Sequence, residues 1–178
     1  MFTDDIERIR TQAHDANVAN KIIDSLKGLQ QSSDEKSRCR WVWELIQNAK
    51  DVTNSSGGVD IRISLDKQSG KLLFEKNGKP FTMENIVLLI EHVSTKYSDE
   101  KEGIEKSTGK FGTGFLTTHL LSDVVTLSGT LVDGDNRFRK FQLDIDRSEK
   151  TKEGIIDGNK KSFYQLQKSI ESGEVVYN

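Results

Sequence analysis

Apolar residues recur at helical spacing through the first part of the chain. Between residues 4 and 29 they occupy one repeating set of positions: Ile6, Ile9, Ala13, Ala16, Ala19, Ile22, Ile23, Leu26 and Leu29. This spacing predicts one or two helices with a single apolar face. Cap-forming residues then predict a second helix, which begins at about Asp34 and runs to about Val52, where the polar and glycine residues 54–58 end it.

Alternating apolar and polar residues predict a hairpin after the second helix. Residues 59–65 and 71–77 form its two strands around a turn at residues 66–70. Thr82 is a suitable N-cap for a short helix over residues 82–91.

The second half of the chain is expected to continue this mixture of helices and strands. A short helix over residues 116–121 precedes a second hairpin, whose strands are residues 123–132 and 137–145. Residues 147–161 are predicted to be a polar linker, and residues 161–170 a last helix.

Length and composition are those of a single domain. The chain has 178 residues, a net charge of −2 and a pI near 6.0, so it has no overall basic field and direct nucleic-acid binding is not expected. Cys39 is the single cysteine, and no apolar run reaches the length of a membrane span or a signal-sequence core. A cytoplasmic protein without membrane contact is therefore expected.

Three glycines, Gly109, Gly112 and Gly114, lie directly before the predicted helix at residues 116–121. Glycine has no Cβ, so the backbone can approach an anion closely and turn several N–H groups toward phosphate oxygens. The spacing differs from that of a P-loop, and the segment does not follow a strand as a dinucleotide-binding turn would. Taken alone, the segment predicts either a phosphate cradle or a plain tight loop.

Three polar residues of the second helix, Glu44, Asn48 and Asp51, share one face. At about 100° per residue they fall within an arc of roughly 60°, at the border of the expected apolar face. A carboxylate can take a proton from an attacking water, and an amide oxygen is a hard ligand suited to magnesium. Taken alone, this pattern more often marks the solvated rim of an amphipathic helix.

The two motifs occur together, about 60 residues apart, as Glu44-Leu-Ile-Gln-Asn-Ala-Lys-Asp51 and Gly109-Lys-Phe-Gly-Thr-Gly-Phe115. The pair resembles the GHKL superfamily, the Bergerat-fold ATP-binding domains of the DNA gyrase B subunit, MutL, histidine kinases and the ninety-kilodalton heat-shock chaperone. The likeness is greatest to that chaperone and to sacsin-type amino-terminal ATPase domains, and it covers about residues 34–130.

The resemblance implies a role for each matching residue. Glu44 would be the general base, Asn48 the magnesium ligand, and Asp51 a support for the water network of the pocket. The glycine segment would surround the phosphates of ATP with Gly109, Lys110, Phe111, Gly112, Thr113, Gly114 and Phe115. The charged residues 94–108 would be a lid, in which Lys96 either adds a phosphate counter-charge or is simply solvated.

One position departs from the superfamily pattern. With Gly78 aligned to the first glycine of the family's second motif, Lys76 occupies the place of the aspartate that accepts a hydrogen bond from the adenine amine, and an ammonium has no acceptor. Three explanations stay open. Asn77 supplies an amide acceptor instead, or water and backbone carbonyls recognise the base, or the base preference is altered or relaxed. Pro80 also replaces the motif's second glycine.

The predicted fold is therefore α/β, a two-layer Bergerat sandwich with a mixed, mostly antiparallel sheet and helices on one face, in one domain over residues 1–178. The expected function is binding and slow hydrolysis of Mg-ATP. Lid closure would act on downstream domains of a longer protein or on a second protomer in a nucleotide-dependent homodimer. Residues 174–177 could begin the late strand that the family uses. The alternative is a degenerate module for nucleotide binding, interaction or dimerisation, without turnover.

Overall fold

A computed structural model of the chain describes residues 2–31, 39–92, 114–134, 137–173 and 175–177. Its elements, in chain order, are α1 (Phe2–Gln31), α2 (Arg40–Lys50), β1 (Ile61–Asp66), β2 (Lys71–Lys76), α3 (Met83–Glu91), a 3-10 helix (Phe115–Leu120), β3 (Val124–Val132), β4 (Arg137–Asp146), α4 (Lys152–Ser172) and β5 (Val175–Tyr177). Helices and antiparallel strands are mixed along the chain, which is the α/β class expected from the sequence.

The described strands form two sheets. β1 and β2 pair as one antiparallel hairpin, and β3, β4 and β5 form a three-stranded antiparallel sheet in that order. Phe81 forms an isolated parallel β-bridge with Leu131 of β3. Its N–H donates to the Thr130 carbonyl at 2.8 Å, and its carbonyl accepts from the Val132 N–H at 2.9 Å. Both predicted hairpins are confirmed, whereas the two-layer Bergerat sandwich stays a prediction.

Helix α4 packs along β4 and closes its outer edge. β5 pairs with residues 137–139 of β4. Further along β4, side chains of α4 bond to the strand backbone: Ser169 Oγ accepts from the Gln142 N–H at 3.0 Å, Gln165 Oε1 accepts from the Asp144 N–H at 2.7 Å, and Ser162 Oγ donates to the Asp144 carbonyl at 2.6 Å. These bonds satisfy backbone groups that would otherwise form an open sheet edge.

The prediction of a polar linker over residues 147–161 is wrong from Lys152 onward, where the last helix already begins. α4 begins directly after Thr151, whose side-chain oxygen accepts from the backbone N–H of Gly154 at 3.1 Å and so caps the first turn. The inward face of this helix includes Asn159 and Ser162, which are 8% and 0% exposed. Because polar residues occupy buried positions there, the apolar periodicity is interrupted and the sequence gives a weak helical signal.

Two apolar clusters form the core of the described residues. One lies between α3, β3, β4 and α4 and includes Ile86, Leu89, Ile90, Phe115, Leu131, Phe141, Leu143, Ile145 and Leu166. The other joins α1, the 3-10 helix and α4 through Val18, Ala19, Ile22, Leu26, Leu116 and Ile155. The predicted apolar face of α1 is thus buried in its second half, while Ile6 and Ile9 are exposed.

Helix boundaries elsewhere follow the local sequence. Thr82 caps α3 as predicted, in a capping box with Asn85.

No helix in the described part of the chain combines the length and apolar character that crossing a membrane requires.

Candidate functional site

The two sequence motifs meet at Glu44 and Gly114. Glu44 lies in the middle of α2, its side chain is 23% exposed, and its Oε1 accepts from the Arg40 Nε at 3.0 Å. Gly114 is buried and packs directly on this carboxylate. A Cβ at position 114 would overlap Glu44 Oε2 and would lie 3.0 Å from Cδ. Only glycine fits this contact without displacing the carboxylate, so the end of the glycine segment lies against the predicted base.

Asn48 lies further along the same face of α2, Asp51 is the C-cap directly after the helix, and both are half-buried. Ala49 beside them is fully buried, whereas Trp43 is 66% exposed. The polar face therefore lies at the border of the buried face, as its spacing predicted. Glu44 and Asn48 offer carboxylate and amide oxygens, which are the hard donors that fit magnesium.

The first hairpin is fixed to the end of this helix. A Cβ at Gly78 would overlap the Val52 carbonyl, and the Lys79 N–H donates to that same oxygen at 2.8 Å. The close approach requires glycine at position 78. It brings the end of β2 next to Asp51 and Val52, so the hairpin and α2 border one region.

Lys76 is half-buried at the end of β2. Its Nζ lies 5.1 Å from the centroid of the Phe81 ring, and burial lowers the pKa of its amine. Among the described residues, no carboxylate forms an ion pair with it.

Asn77 is exposed and bonds to Asp60 at the base of the hairpin. Its Oδ1 accepts from the Asp60 N–H at 2.8 Å, and its Nδ2 donates to Asp60 Oδ2 at 2.7 Å. Asn77 therefore stabilises the hairpin, and a base contact through its amide would have to add to these bonds or replace them. That contact stays a prediction.

Phe115 and the helix after it are part of the core. The Phe115 ring is 8% exposed and packs among the residues of the first cluster. Thr117 Oγ1 donates to the Gly114 carbonyl at 2.6 Å, and Thr118 Oγ1 donates to the Phe115 carbonyl at 2.7 Å. Such back-bonding competes with α-helical bonding, in line with the 3-10 geometry of the predicted helix. The bond from Thr117 restrains the Gly114 carbonyl.

Several predicted site residues lie outside the described part of the chain. They are Lys96, Gly109, Lys110, Phe111, Gly112 and Thr113, together with the expected lid at residues 94–108. The described residues contain no group of three or more His, Cys, Asp or Glu side chains arranged for a metal ion. A small cavity lies between α1, α3 and α4, and none of the predicted site residues lines it.

The sequence did not single out Arg147, which is 1% exposed. Its guanidinium donates to the Ile90 carbonyl at 2.7 Å and to Asn159 Oδ1 at 2.9 Å, so it ties the end of α3 to α4. Burial lowers the pKa of Arg147 to about 10. Burial and the charge of Arg147 together lower the pKa of His119 to about 4, so this imidazole is neutral at pH 7. No pattern in the sequence identifies this contact, because its partners are far apart along the chain.

The chain is similar over part of its length to a curated chaperone. Chaperone protein HtpG from Chlorobium phaeobacteroides (strain DSM 266 / SMG 266 / 2430) is 26% identical over 140 residues, covering 62% of this chain and 22% of that protein. The chain thus spans about a fifth of the length of this relative. No family model matches the chain, and no solved structure matches it at a significant level. This partial similarity is in line with the resemblance of the two motifs to the chaperone branch of the GHKL superfamily.

Proposed function

We propose that the chain binds Mg-ATP and hydrolyses it. The observation that carries this proposal is the contact between Glu44 and Gly114. It joins a carboxylate able to activate water with the end of a glycine segment able to surround phosphates. The partial similarity to a chaperone also supports the proposal that the chain binds ATP, since the two motifs resemble those of chaperone ATP-binding domains.

Each described site residue then has a distinct task. Glu44 accepts the proton of the attacking water, and Arg40 orients the carboxylate through their ion pair. Asn48 lies one turn further along α2, and its amide oxygen is the donor that would hold magnesium. Magnesium, when bound, would neutralise charge on the phosphates. Asp51 borders the hairpin contact at Val52, where it would support ordered water.

The coupling of hydrolysis to work is also a proposal. Closure of residues 94–108 over the nucleotide would exclude water and signal to downstream domains or to a second protomer. The expected setting is a chaperone-like role in the cytoplasm. Slow turnover is the rate we propose for this chain.

Phosphate release and calorimetric titration with Mg-ATP test the proposal. Wild-type chain should bind ATP in a magnesium-dependent manner and release phosphate. Glu44→Gln keeps the size of the side chain but removes the base, so ATP binding should persist while turnover falls roughly 100-fold or more. Glu153→Gln, which changes an exposed carboxylate on α4, is the matched control and should leave both unchanged. Equal turnover in the two variants would contradict the role of Glu44.

The second candidate function is a binding or dimerisation module without turnover. Lys76 at the expected base-reading position favours it, as do the bonds that already engage Asn77 and Glu44. This candidate predicts that phosphate release from the wild-type chain equals that of Glu44→Gln, with ATP bound weakly or not at all.

A further inference from the structure

The ammonium of Lys76 lies over a rigid aromatic surface. The Phe81 ring below it is fixed by the backbone bonds between Phe81 and β3, and it meets Phe141 edge-on at 5.5 Å between ring centroids. The Lys76 side chain is half-buried, so its position is restricted by packing. A lysine held in this way presents its donors in a limited range of directions.

The bonding capacity of Lys76 is incompletely used within the described residues. An ammonium has three N–H donors and no acceptor, and a ring face compensates the charge but accepts no conventional hydrogen bond. No described carboxylate forms an ion pair with it, although Glu75 beside it pairs with Arg62 at 3.9 Å. A ligand that presents an acceptor at this point would complete the bonding of Lys76.

Lys76 also borders the candidate site. Gly78, two residues further on, packs on the Val52 carbonyl, and Val52 follows Asp51, the C-cap of α2. The resemblance of the motif implies that the residue at position 76 meets the base of the nucleotide, so Lys76 faces the purine if the proposed function holds.

We propose that Lys76 determines base preference by donating to an oxo group at position 6 of a purine. This inference rests on the proposed function. The 6-amino group of adenine is a donor, so it forms no hydrogen bond with an ammonium, whereas a 6-oxo group is an acceptor. The site therefore takes 6-oxopurine triphosphates at least as tightly as ATP. With a 6-amino group two donors face each other, whereas a 6-oxo group forms a charge-assisted hydrogen bond with the ammonium. This difference corresponds to a roughly tenfold or larger difference in affinity.

Calorimetric titration of the whole chain with Mg-ATP, Mg-ITP and Mg-GTP tests the inference. ITP has an oxo group in place of the 6-amino group of ATP. GTP has the same 6-oxo group and an additional 2-amino group, so comparing GTP with ITP shows whether a substituent at position 2 changes the affinity. The wild-type chain should bind ITP at least as tightly as ATP. Lys76→Asp should shift the ratio of the two dissociation constants toward ATP by roughly tenfold or more, because a carboxylate accepts from the 6-amino group.

Two further variants isolate the effect. Lys76→Met keeps an apolar stem over Phe81 but removes the donors, so it should lose the advantage of ITP without gaining one for ATP. Lys79→Asp makes the same charge change at an exposed neighbouring position and should keep the wild-type ratio. If Lys76→Asp fails to fold by circular dichroism, the comparison of wild-type with Lys76→Met decides.

Tighter binding of ATP than of ITP by the wild-type chain would overturn the inference and leave the proposed function standing. The inference would also be overturned if the ratio of the ATP and ITP dissociation constants were the same in wild-type, Lys76→Asp and Lys76→Met. Absence of binding for all three nucleotides would instead remove the proposed function, and the inference would fall with it.

Discussion

Substituting Gly114 with alanine probes the contact that joins the two halves of the candidate site. Gly114 has φ −73° and ψ −36°, which alanine adopts without strain. In the absence of a clash, the change would stabilise the fold by about 0.4–1 kcal/mol, because it reduces the conformational freedom of the unfolded chain. Any destabilisation therefore comes from the neighbouring side chain and not from the backbone.

The steric cost can be worked out atom by atom. The new Cβ would overlap Glu44 Oε2, and would lie 3.0 Å from Glu44 Cδ and 3.2 Å from Glu44 Cβ. The carboxylate can rotate outward, which breaks the ion pair with Arg40 at a cost of about 0–1 kcal/mol. The Cβ of Glu44 is fixed by α2, so the helix must shift. Over-packing of this kind costs about 1–3 kcal/mol, and the net expectation is a destabilisation of about 1–2 kcal/mol.

Urea unfolding monitored by tryptophan fluorescence measures this change. Trp41 and Trp43 are the two tryptophans of the chain, and both lie on α2. The double variant Gly114→Ala/Glu44→Ala removes the overlapping carboxylate, so it should recover about 1 kcal/mol relative to the sum of the single variants. Phosphate release should fall in Gly114→Ala together with stability, because the displaced carboxylate no longer faces the glycine segment.

Gly28→Ala is the matched control for this experiment. Gly28 lies within α1, and a Cβ there would meet no atom within 4 Å, so the variant should be more stable by about 0.5–1 kcal/mol. The proposed packing is refuted if Gly114→Ala gains as much stability as Gly28→Ala. A double variant whose destabilisation is the plain sum of the single changes would also refute it.

Two further predictions concern the elements around the site. Thr151→Ala removes the cap of α4 and should cost about 1 kcal/mol of unfolding free energy, with faster amide exchange confined to the first turn of that helix; unchanged exchange there would contradict the capping role. His119 has a pKa of about 4 in the folded chain against 6.5 in the unfolded chain, so the unfolded state binds the extra proton between those values. The free energy of unfolding therefore falls by up to about 3 kcal/mol as the pH is lowered from 6.5 toward 4, whereas above pH 6.5 the neutral His119 costs nothing. Urea unfolding measured across this range should show a steeper fall of the unfolding free energy in wild-type than in His119→Gln.

Elements with a regular apolar pattern or a local cap could be predicted from the sequence. Apolar and polar residues alternate along β1 and along the second half of β4, and Thr82 provides a capping box for α3. The first half of α4 could not be predicted, because Asn159 and Ser162 occupy its buried face and bond to Arg147 and to the Asp144 carbonyl. Those partners become visible only when strand and helix are brought together.

The candidate site divides in the same way. The shared face of Glu44, Asn48 and Asp51 follows from helical spacing alone. The contact between Glu44 and Gly114 does not follow from local pattern, since 70 positions separate the two residues, and the sequence indicated it only through a family resemblance. The engagement of Asn77 with Asp60 was not anticipated, because an exposed amide gives no signal of its partner.

The packing at Gly114 and the chemistry at Glu44 need separate tests, because the first does not depend on the second. A buried glycine against a carboxylate would be needed for packing even in a module without turnover, so loss of stability in Gly114→Ala supports the geometry alone. Glu44→Gln is nearly isosteric and keeps the contact, while the ion pair it loses joins Glu44 to an exposed arginine and contributes about 0–1 kcal/mol. A Glu44→Gln chain that keeps wild-type stability and ATP affinity but has lost phosphate release would therefore assign the carboxylate to catalysis. Equal stability with unchanged release would instead leave Glu44 a packing partner of the glycine segment.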